Sequence, residues 1–249
     1  MFVKALIMAA GYAVRLYPLT KDRPKPLLPV CNRPIVDYIV DKVGKIREIK
    51  KMLVVTNDKF ANHFTNWSNS STFKSKIRII NDGSLSNDDK LGAVGDIDFI
   101  IKNAKVEDDL LVVAGDNLFD FELDEFVTFA KSMQPSPSIG LYDVGSMEAV
   151  KKYGMVDIDN NRKIIKFEEK PSQPVNTLIA VCVYYFPQKT LGLISEYLDE
   201  GNNPDAPGYY INWLYQKRDT YGFIFRGSWY DIGGIASYHQ ACKDYEKRK

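Results

Sequence analysis

Short apolar runs alternate with longer segments of helical periodicity through the first 144 residues of the chain. Runs of this length are typical of buried strands, whereas apolar residues at intervals of three and four predict helices. Strands that alternate regularly with helices form βαβ units, whose crossovers keep neighbouring strands parallel. The sequence therefore predicts an α/β fold with a mixed, mostly parallel central sheet flanked by helices. The predicted strands are Val3–Met8, Met52–Thr56, Ile77–Ile80, Leu110–Ala114 and Ile139–Val144.

The helices of this half are predicted from the same periodicity. The segment that starts at Pro34 has apolar residues on one helical face, and Asp58 stands at a plausible N-cap position. The predicted helices are 34–46, Asp58–Trp67, Gly92–Ala104 and Leu123–Met133.

After Tyr153 the pattern changes to strands with little helix between them. Three polar residues from Asp159 to Asn161 separate two of these strands and predict a hairpin turn. We therefore expect a more antiparallel second half, and one domain over residues 1–249, because neither a linker nor an internal repeat interrupts the chain. The predicted elements are strands Met155–Ile158, Ile164–Phe167, Ile179–Phe186 and Tyr221–Phe225, and helices Gln188–Leu198, Tyr209–Arg218 and Ile235–Lys247.

Composition excludes several classes of partner. The net charge is +1, so the chain as a whole has no electrostatic attraction to nucleic acid or to an anionic membrane. The longest apolar stretch, Leu178–Phe186, is far shorter than the roughly 20 residues that span a bilayer. Three cysteines without C-x-x-C spacing argue against a disulfide framework and predict a reducing, cytoplasmic location.

The loop after the first predicted strand is suited to binding phosphate. The small residues Ala10 and Gly11 let backbone N–H groups approach an anion, Arg15 offers a planar fork of donors, and Lys25 lies between two prolines. In open α/β sheets, ligands bind beyond the carboxyl ends of the strands, which is where this loop begins. The alternative is a surface loop with scattered bases. The pattern is not the G-x-G-x-x-G of dinucleotide-binding proteins.

Further motifs follow this loop in order along nearly the whole chain. They are Ala9-Ala10-Gly11, Arg15-Leu16, Pro24-Lys25-Pro26, Leu91-Gly92-Ala93, Ala114-Gly115-Asp116-Asn117, Tyr153-Gly154, Phe167-Glu168-Glu169-Lys170-Pro171 and Trp229-Tyr230-Asp231-Ile232-Gly233. Their order strongly resembles that of the sugar-1-phosphate nucleotidyltransferase family, which includes the glucose-1-phosphate thymidylyltransferases. The resemblance implies a Rossmann-like fold of the nucleotide-diphospho-sugar transferase type, with a nucleotide-binding half at about 1–120 and a sugar-binding half at about 121–249.

The resemblance also implies a reaction and a role for each matching residue. A sugar 1-phosphate attacks the α-phosphorus of a nucleoside triphosphate in line, and pyrophosphate leaves, so catalysis needs positioning and charge neutralisation. Two carboxylates, with phosphate oxygens and water, suit Mg²⁺. The expected roles are catalysis for Arg15 and Lys25, nucleotide binding for Ala10, Gly11, Leu91 and Gly92, sugar-phosphate binding for Asn117, Gly154, Glu169 and Lys170, and Mg²⁺ binding for Asp116 and Asp231.

Several positions depart from the family pattern and leave the substrates open. Ala13-Val14 replaces the usual Gly-Thr, and alanine permits close backbone approach if its φ is negative. Cys182 and Gly234 replace a frequent glycine and threonine, and residues 81–90 lack the glutamine-rich pattern that reads the base. The default pair is dTTP and glucose 1-phosphate, with UTP, CTP or another phosphorylated acceptor as alternatives. A non-catalytic nucleotide-sugar-binding regulator is the alternative of another class. We expect no C-terminal β-helix, and a homo-oligomer is possible.

Overall fold

A nine-stranded sheet forms the centre of the computed structural model, which describes residues 2–247. The strands are β1 (Val3–Met8), β2 (Pro29–Val30), β3 (Arg33–Pro34), β4 (Ile49–Thr56), β5 (Ile77–Asn81), β6 (Asp109–Ala114), β7 (Asn117–Phe119), β8 (Ser138–Asp143), β9 (Gly154–Ile158), β10 (Ile164–Glu169), β11 (Leu178–Phe186), β12 (Tyr221–Ile224) and β13 (Trp229–Asp231). The helices are α1 (Ile35–Lys45), α2 (Ala61–Ser70), α3 (Ala93–Asn103), α4 (Asp124–Ser132), α5 (Met147–Val150), α6 (Gly192–Asp199), α7 (Pro207–Lys217) and α8 (Ile235–Glu246).

The first half of the chain supplies the parallel part of the sheet. Strands β5, β4, β1 and β6 lie side by side in that order, and every pair among them is parallel. Their carboxyl ends therefore meet at one edge, from which the loops after Met8, Thr56, Asn81 and Ala114 emerge. The predicted α/β fold with a mixed, mostly parallel sheet is confirmed.

The second half continues the sheet with mostly antiparallel pairs. Strand β11 lies antiparallel to β6, β8 and β9, while β10 forms a hairpin with β9 around the turn that begins at Asp159. Strand β12 is parallel to β8. The register of β11 against β8 shifts between Ala180 and Tyr184, and Cys182 within that irregularity has a φ of 50°. A bulge of this kind re-aims a side chain out of the regular ladder.

Strands β1 and β6 and the second half of β4 are buried on both faces, which explains their largely apolar sequences. Along β1, Leu6 belongs to one buried cluster and Ile7 to the other, because successive side chains point to opposite faces. Helices α1, α2 and α4 cover one face, and α3, α6 and α7 cover the other. A third apolar cluster joins Leu16 and Leu28 to Ile232 and Tyr238. It anchors the long loop after β1 to the last part of the chain.

Two features correct the sequence-based predictions. The helix predicted at Asp58–Trp67 with Asp58 as its N-cap is a 3-10 turn followed by α2. Asn57 is the residue whose side chain caps that turn, by accepting a hydrogen bond from the Phe60 N–H at 3.1 Å. The segment predicted as one helix at Gln188–Leu198 likewise divides into a 3-10 turn and α6.

No helix within residues 2–247 combines the length and the apolar character needed to cross a bilayer.

Candidate active site

A cavity of about 630 Å³ lies beyond the carboxyl ends of β1 and β6. It is bordered by the loop after β1, which the sequence predicts to bind phosphate, and by the start of α3. The segments that carry the two predicted metal ligands, Asp116 and Asp231, also border it. The predicted site residues that line the cavity are Ala10, Gly11, Arg15, Lys25, Gly92, Asp116 and Asp231. The structure thus brings together residues from both ends of the chain around one space.

The loop after β1 forms the floor of this cavity. Its start is tied to the sheet, because the Ala9 N–H donates to the Val55 carbonyl at 2.9 Å. Alanine at position 13 was expected to permit close backbone approach only if its φ were negative. The structure gives Ala13 a φ of 49°, so this condition is not met. The Thr20 hydroxyl donates to the Ala13 carbonyl at 2.8 Å and helps to hold this turn. Arg15, in the 3-10 turn that follows, is exposed to the cavity and available to an anion.

Lys25 is a buried base whose position the flanking prolines restrict. Only 7% of the residue is exposed, and its ammonium group lies 2.7 Å from Oδ2 of Asp116. A buried ammonium requires a partner of opposite charge, which this carboxylate provides. Pro24 and Pro26 limit the backbone on either side, so the short 3-10 turn that starts at Lys25 presents its side chain to the cavity.

Asp116 is positioned by a close approach of β6 to β1. The Gly115 N–H donates to the Met8 carbonyl at 2.8 Å, and a Cβ at Gly115 would lie 2.7 Å from that oxygen. Only glycine permits this contact, and the chain then turns to place the Asp116 carboxylate at the cavity edge with 41% of its side chain exposed.

Asp231 reaches the same cavity from a two-stranded ribbon that β7 and β13 form. In this antiparallel pair Asp231 lies opposite Asn117, the residue that follows Asp116. The Tyr153 hydroxyl donates to Oδ2 of Asp231 at 3.1 Å. Burial, and then the charge of Asp231, raise the pKa of Tyr153, so the hydroxyl stays a donor across the physiological range. Tyr153 therefore orients the carboxylate.

Asn117 directs its side chain into the protein. Its amide nitrogen donates to the Val181 carbonyl at 2.6 Å, and its amide oxygen accepts from Trp229 Nε1 at 3.3 Å. Both groups of this buried side chain thus hold the ribbon against β11.

Among the predicted site residues, Leu91, Asn117, Gly154, Glu169 and Lys170 are not part of the cavity lining. Their predicted substrate contacts stay predictions.

Glu169 lies close to the cavity without lining it. Its carboxylate is packed against the start of α7, where a Cβ at Gly208 would overlap Oε2. Burial raises the pKa of this carboxyl group, and the charge of Lys170 lowers it.

Burial also raises the pKa of the Cys182 thiol to about 11, and the charges of Asp116, Glu169 and Asp231 add to the effect. Cys182, which lines the cavity, therefore has these three acids around it.

A second cavity of about 330 Å³ borders Asp231 on another side. The aromatic residues Tyr142, Tyr153, Trp229 and Tyr230 line it. Sequence reasoning left Trp229 and Tyr230 without a role. The structure places both beside this smaller cavity, next to the carboxylate that Tyr153 orients.

The opposite end of the main cavity contains polar residues that sequence reasoning missed. Asn87, Lys90, Asp96 and Asp205 line this end, with the Lys90 ammonium group 2.9 Å from the Asp205 carboxylate. Asp96 is in the first turn of α3, where an acid is a common helix-start residue, so its sequence position carries no special signal.

Gly92 fits this end of the cavity because it lacks a Cβ. Its φ is 81°, and an added Cβ would lie 2.6 Å from the Pro204 carbonyl oxygen. We expect Gly92→Ala to lower the free energy of unfolding by about 2–3 kcal/mol, since it combines backbone strain with a clash against main chain. Urea denaturation measures this change. Gly192→Ala is the matched control, because nothing lies within 4 Å of that site, and we expect a change of at most about 0.5 kcal/mol. Equal effects in both variants would contradict the close contact.

Comparison with known proteins supports the fold and reveals the family. Two solved structures share the fold: a protein described as a glucose-1-phosphate thymidylyltransferase from Bacillus anthracis (TM-score 0.84, 22% identity, 97% of this chain and 94% of that chain) and a UDP-glucose pyrophosphorylase complexed with UDP-glucose (TM-score 0.81, 20% identity, 100% of each chain). Similarity at these identities shows the fold alone.

Curated relatives extend the comparison. The bifunctional protein GlmU of Methanocaldococcus jannaschii is 27% identical over 92% of this chain and 51% of its own length. The UTP–glucose-1-phosphate uridylyltransferase of Synechocystis is 26% identical over 99% of this chain and 64% of its own length. The chain thus spans about half the length of the GlmU relatives.

The sequence profile of one family covers almost the whole chain. It is described as nucleotidyl transferase and matches residues 4–248. The names of two relatives, the uridylyltransferase of Synechocystis and a glucose-1-phosphate adenylyltransferase of Fusobacterium nucleatum, state that those proteins act on glucose 1-phosphate. The chain therefore belongs to the nucleotidyl transferase family.

Proposed function

We propose that this chain joins a nucleoside triphosphate to a sugar 1-phosphate and releases pyrophosphate. The observation that carries the proposal is the convergence of two bases, Arg15 and Lys25, and two acids, Asp116 and Asp231, around one cavity at the carboxyl edge of a parallel sheet. The first half of the chain would bind the nucleotide, and the second half would complete the site for the sugar phosphate.

The chemistry requires no side chain that activates the nucleophile. A phosphate oxygen of the sugar 1-phosphate is already ionised, forms a bond to the α-phosphorus, and the bond from that phosphorus to the bridging oxygen breaks as pyrophosphate leaves. The main barrier is the approach of two polyanions. Arg15 would bind phosphate oxygens bidentately, and the desolvated Lys25 would place a charge beside the α-phosphate. Both histidines, His63 and His239, are exposed and outside the cavity, as this mechanism permits.

The two acids fit a divalent cation. Each carboxylate has one oxygen bound by a protein donor, Lys25 for Asp116 and Tyr153 for Asp231, while within residues 2–247 the other oxygen accepts no hydrogen bond. Two hard oxygen ligands leave positions for phosphate oxygens and water, which suits Mg²⁺. In the described part of the chain, no group of three or more acids, histidines or cysteines is arranged to hold a metal ion, so the substrate phosphates would have to complete the coordination. The ion would supply further charge neutralisation.

The Lys25–Asp116 pair also explains how the site tolerates the absence of substrate. Each group neutralises the other at 2.7 Å. When the triphosphate and a cation bind, Lys25 gains a phosphate partner and Asp116 gains the cation, so no charge is left buried alone.

The remaining predicted contacts belong to this proposal. Ala10, Gly11, Leu91 and Gly92 would contact the nucleotide through the backbone. Glu169 would accept hydrogen bonds from sugar hydroxyls, supported by its position near Cys182 at the cavity. Asn117, Gly154 and Lys170 would complete the sugar-phosphate side, the first by supporting the ribbon that carries Asp231.

Pyrophosphate release tests the reaction directly. The assay pairs ATP, GTP, CTP, UTP and dTTP with a set of sugar 1-phosphates in the presence of Mg²⁺, and dTTP with glucose 1-phosphate is the first pair. We expect turnover on the order of 1–100 s⁻¹ with the correct pair, and no release without the sugar phosphate or with EDTA. Binding of nucleotide-sugars without turnover on any pair would instead support the non-catalytic regulator.

A further inference from the structure

Two carboxyl groups meet beside the end of the main cavity that Asn87, Lys90 and Asp205 line. Asp96, in the first turn of α3, is 6% exposed, and its carboxyl group lies within hydrogen-bond reach of that of Asp82, which follows β5. Oδ1 of Asp96 and Oδ2 of Asp82 are both buried, and neither has a hydrogen-bond donor within residues 2–247. Two ionised carboxylates in this arrangement would repel each other at close range.

One shared proton removes this conflict. If Asp96 carries the proton on Oδ1, it donates to Oδ2 of Asp82, and both buried oxygens are satisfied. Oδ1 of Asp82 already accepts from the Ser84 N–H and the Ser84 hydroxyl, at 2.7 Å each, which makes Asp82 the acceptor of the pair. Oδ2 of Asp96, which accepts no hydrogen bond from the described residues, is then the oxygen available to the cavity that Asp96 lines.

The order of the strands sets the distance between this pair and Asp116. That distance is comparable to the reach of a nucleoside triphosphate from its α-phosphate to its base. Asp82 follows β5 and Asp116 follows β6, with β4 and β1 between them. Three steps of strand spacing separate the two ends by about 14 Å. The cavity connects these ends, so a nucleoside triphosphate with its α-phosphate beside Lys25 extends its base toward Asp96.

We propose that Asp96 and Asp82 form a carboxyl pair that shares one proton, and that the free oxygen of Asp96 recognises the nucleobase by accepting a hydrogen bond from a base N–H. The inference rests on the proposed function in that it takes the cavity to bind a nucleoside triphosphate. It adds Asp96, in the first turn of α3, to the residues proposed to bind the nucleotide.

The charges that face Asp96 determine how the pair responds to pH. Burial, and then the charge of Asp82, raise the pKa of Asp96 to about 8, with a smaller contribution from Asp205, while Lys90 opposes the shift. Below this pH the pair holds one proton and one negative charge. Above it the proton leaves, Asp82 loses its donor, and a second negative charge faces a polyanionic ligand. Nucleotide binding should therefore weaken as the pH rises through about 8.

Equilibrium binding of nucleotide measures this effect without requiring turnover. Isothermal titration with Mg²⁺ and each of ATP, GTP, CTP, UTP and dTTP at pH 7 identifies the tightest ligand, which is then titrated up to pH 9. Because only the protonated fraction binds, we expect the Kd of the full chain to increase by about tenfold between pH 7 and pH 9.

Two substitutions of Asp96 separate recognition from structure. Asp96→Asn mimics the protonated acid, since its amide N–H₂ can donate to Asp82 while its oxygen faces the cavity, so we expect a Kd near that of wild type at pH 7 and almost no change up to pH 9. Asp96→Leu removes the acceptor and should weaken binding at least tenfold at every pH. Asp88→Asn, an exposed acid of the preceding loop that does not line the cavity, should keep the wild-type pH dependence.

The outcomes distinguish this inference from the proposed function. One outcome is that no pair of substrates releases pyrophosphate, while nucleotide binding depends on pH in the wild type and not in Asp96→Asn. This outcome would refute the reaction and support the carboxyl pair. Turnover with a pH-independent Kd, or an Asp96→Asn variant as sensitive to pH as wild type, would refute the pair and leave the reaction standing. Normal binding by a folded Asp96→Leu variant would refute base recognition. Failure of all five nucleotides to bind at pH 7 would overturn both.

Discussion

Replacing Asp116 by asparagine should lower kcat by about 10²–10³-fold while leaving the fold intact. The carboxylate neutralises Lys25 at 2.7 Å, and with Asp231 it forms the pair of acids proposed to bind Mg²⁺. Asparagine keeps the size and one oxygen but removes the charge, and loss of one preorganised electrostatic group has an effect of this order. The asparagine oxygen can still accept a hydrogen bond from the buried Lys25 ammonium, so the fold should persist, although loss of the charge should lower the free energy of unfolding. Steady-state pyrophosphate release, with circular dichroism for the fold, measures both consequences.

Asp124→Asn provides the matched control for this experiment. Asp124 is an exposed acid at the start of α4 and is absent from the cavity lining, so the same chemical change should leave kcat within about twofold of wild type. An Asp116→Asn variant with near-normal turnover and an intact fold would contradict the metal assignment. A Mg²⁺ titration adds a second readout, because the variant should need a higher concentration of the ion for half-maximal rate.

Replacing Asp109 by alanine should lower the free energy of unfolding by about 3–5 kcal/mol. Asp109 starts β6, is 1% exposed, and accepts hydrogen bonds from the Tyr185 hydroxyl at 2.7 Å, from the Gln134 amide at 2.5 Å and from the Gln188 N–H at 2.9 Å. Its loss removes the acceptor of several donors and leaves a cavity in a region that joins β6 to β11. Urea denaturation monitored by tryptophan fluorescence measures the change.

The adjacent residue supplies the control for Asp109. Asp108 forms a partly exposed ion pair with Lys4 at 3.4 Å, and such pairs contribute little to stability. We expect Asp108→Ala to change the free energy of unfolding by less than about 1 kcal/mol. Similar losses in the two variants would show that the buried network is not what stabilises the start of β6.

The parallel half of the fold was predictable because local signals and burial agree there. The strand Val3–Met8 was predicted with the bounds that the structure has, since all of its residues except Lys4 are apolar and the small residues Ala9, Ala10 and Gly11 follow it. Asp58 and Asn57 show that local signals do not always identify the residue that caps a helix. Either residue can cap a helix, and the choice depends on a 3-10 turn that the helical periodicity does not reveal.

The short strands were beyond sequence reasoning. The ribbon of β7 and β13 has three residues on each side, too few to show an alternating pattern. Yet this ribbon brings Asp231 beside Asp116. The motifs that suggested the family identified both acids without showing how they meet. Tyr153 was likewise recognised as part of a motif, while its contact with Asp231 depends on distant packing.

The end of the cavity that Asp96 lines was missed for a different reason. Asp82 and Asp96 are ordinary in sequence, one after a strand and one in the first turn of a helix. Their significance arises only when the fold brings the start of α3 beside the residue that follows β5, so that the two carboxyl groups meet. Asn117 gives the reverse case, because its position in a motif suggested substrate contact while its amide is used within the protein.

The ribbon of β7 and β13 also has a consequence during synthesis on the ribosome. Trp229, which bonds to Asn117 across it, is made 112 residues later. At about 5–20 residues per second, Asp116 emerges roughly 6–20 s before its partner strand exists. A nascent polypeptide therefore lacks the second acid until Asp231 has been added, so the proposed reaction could begin only after that point.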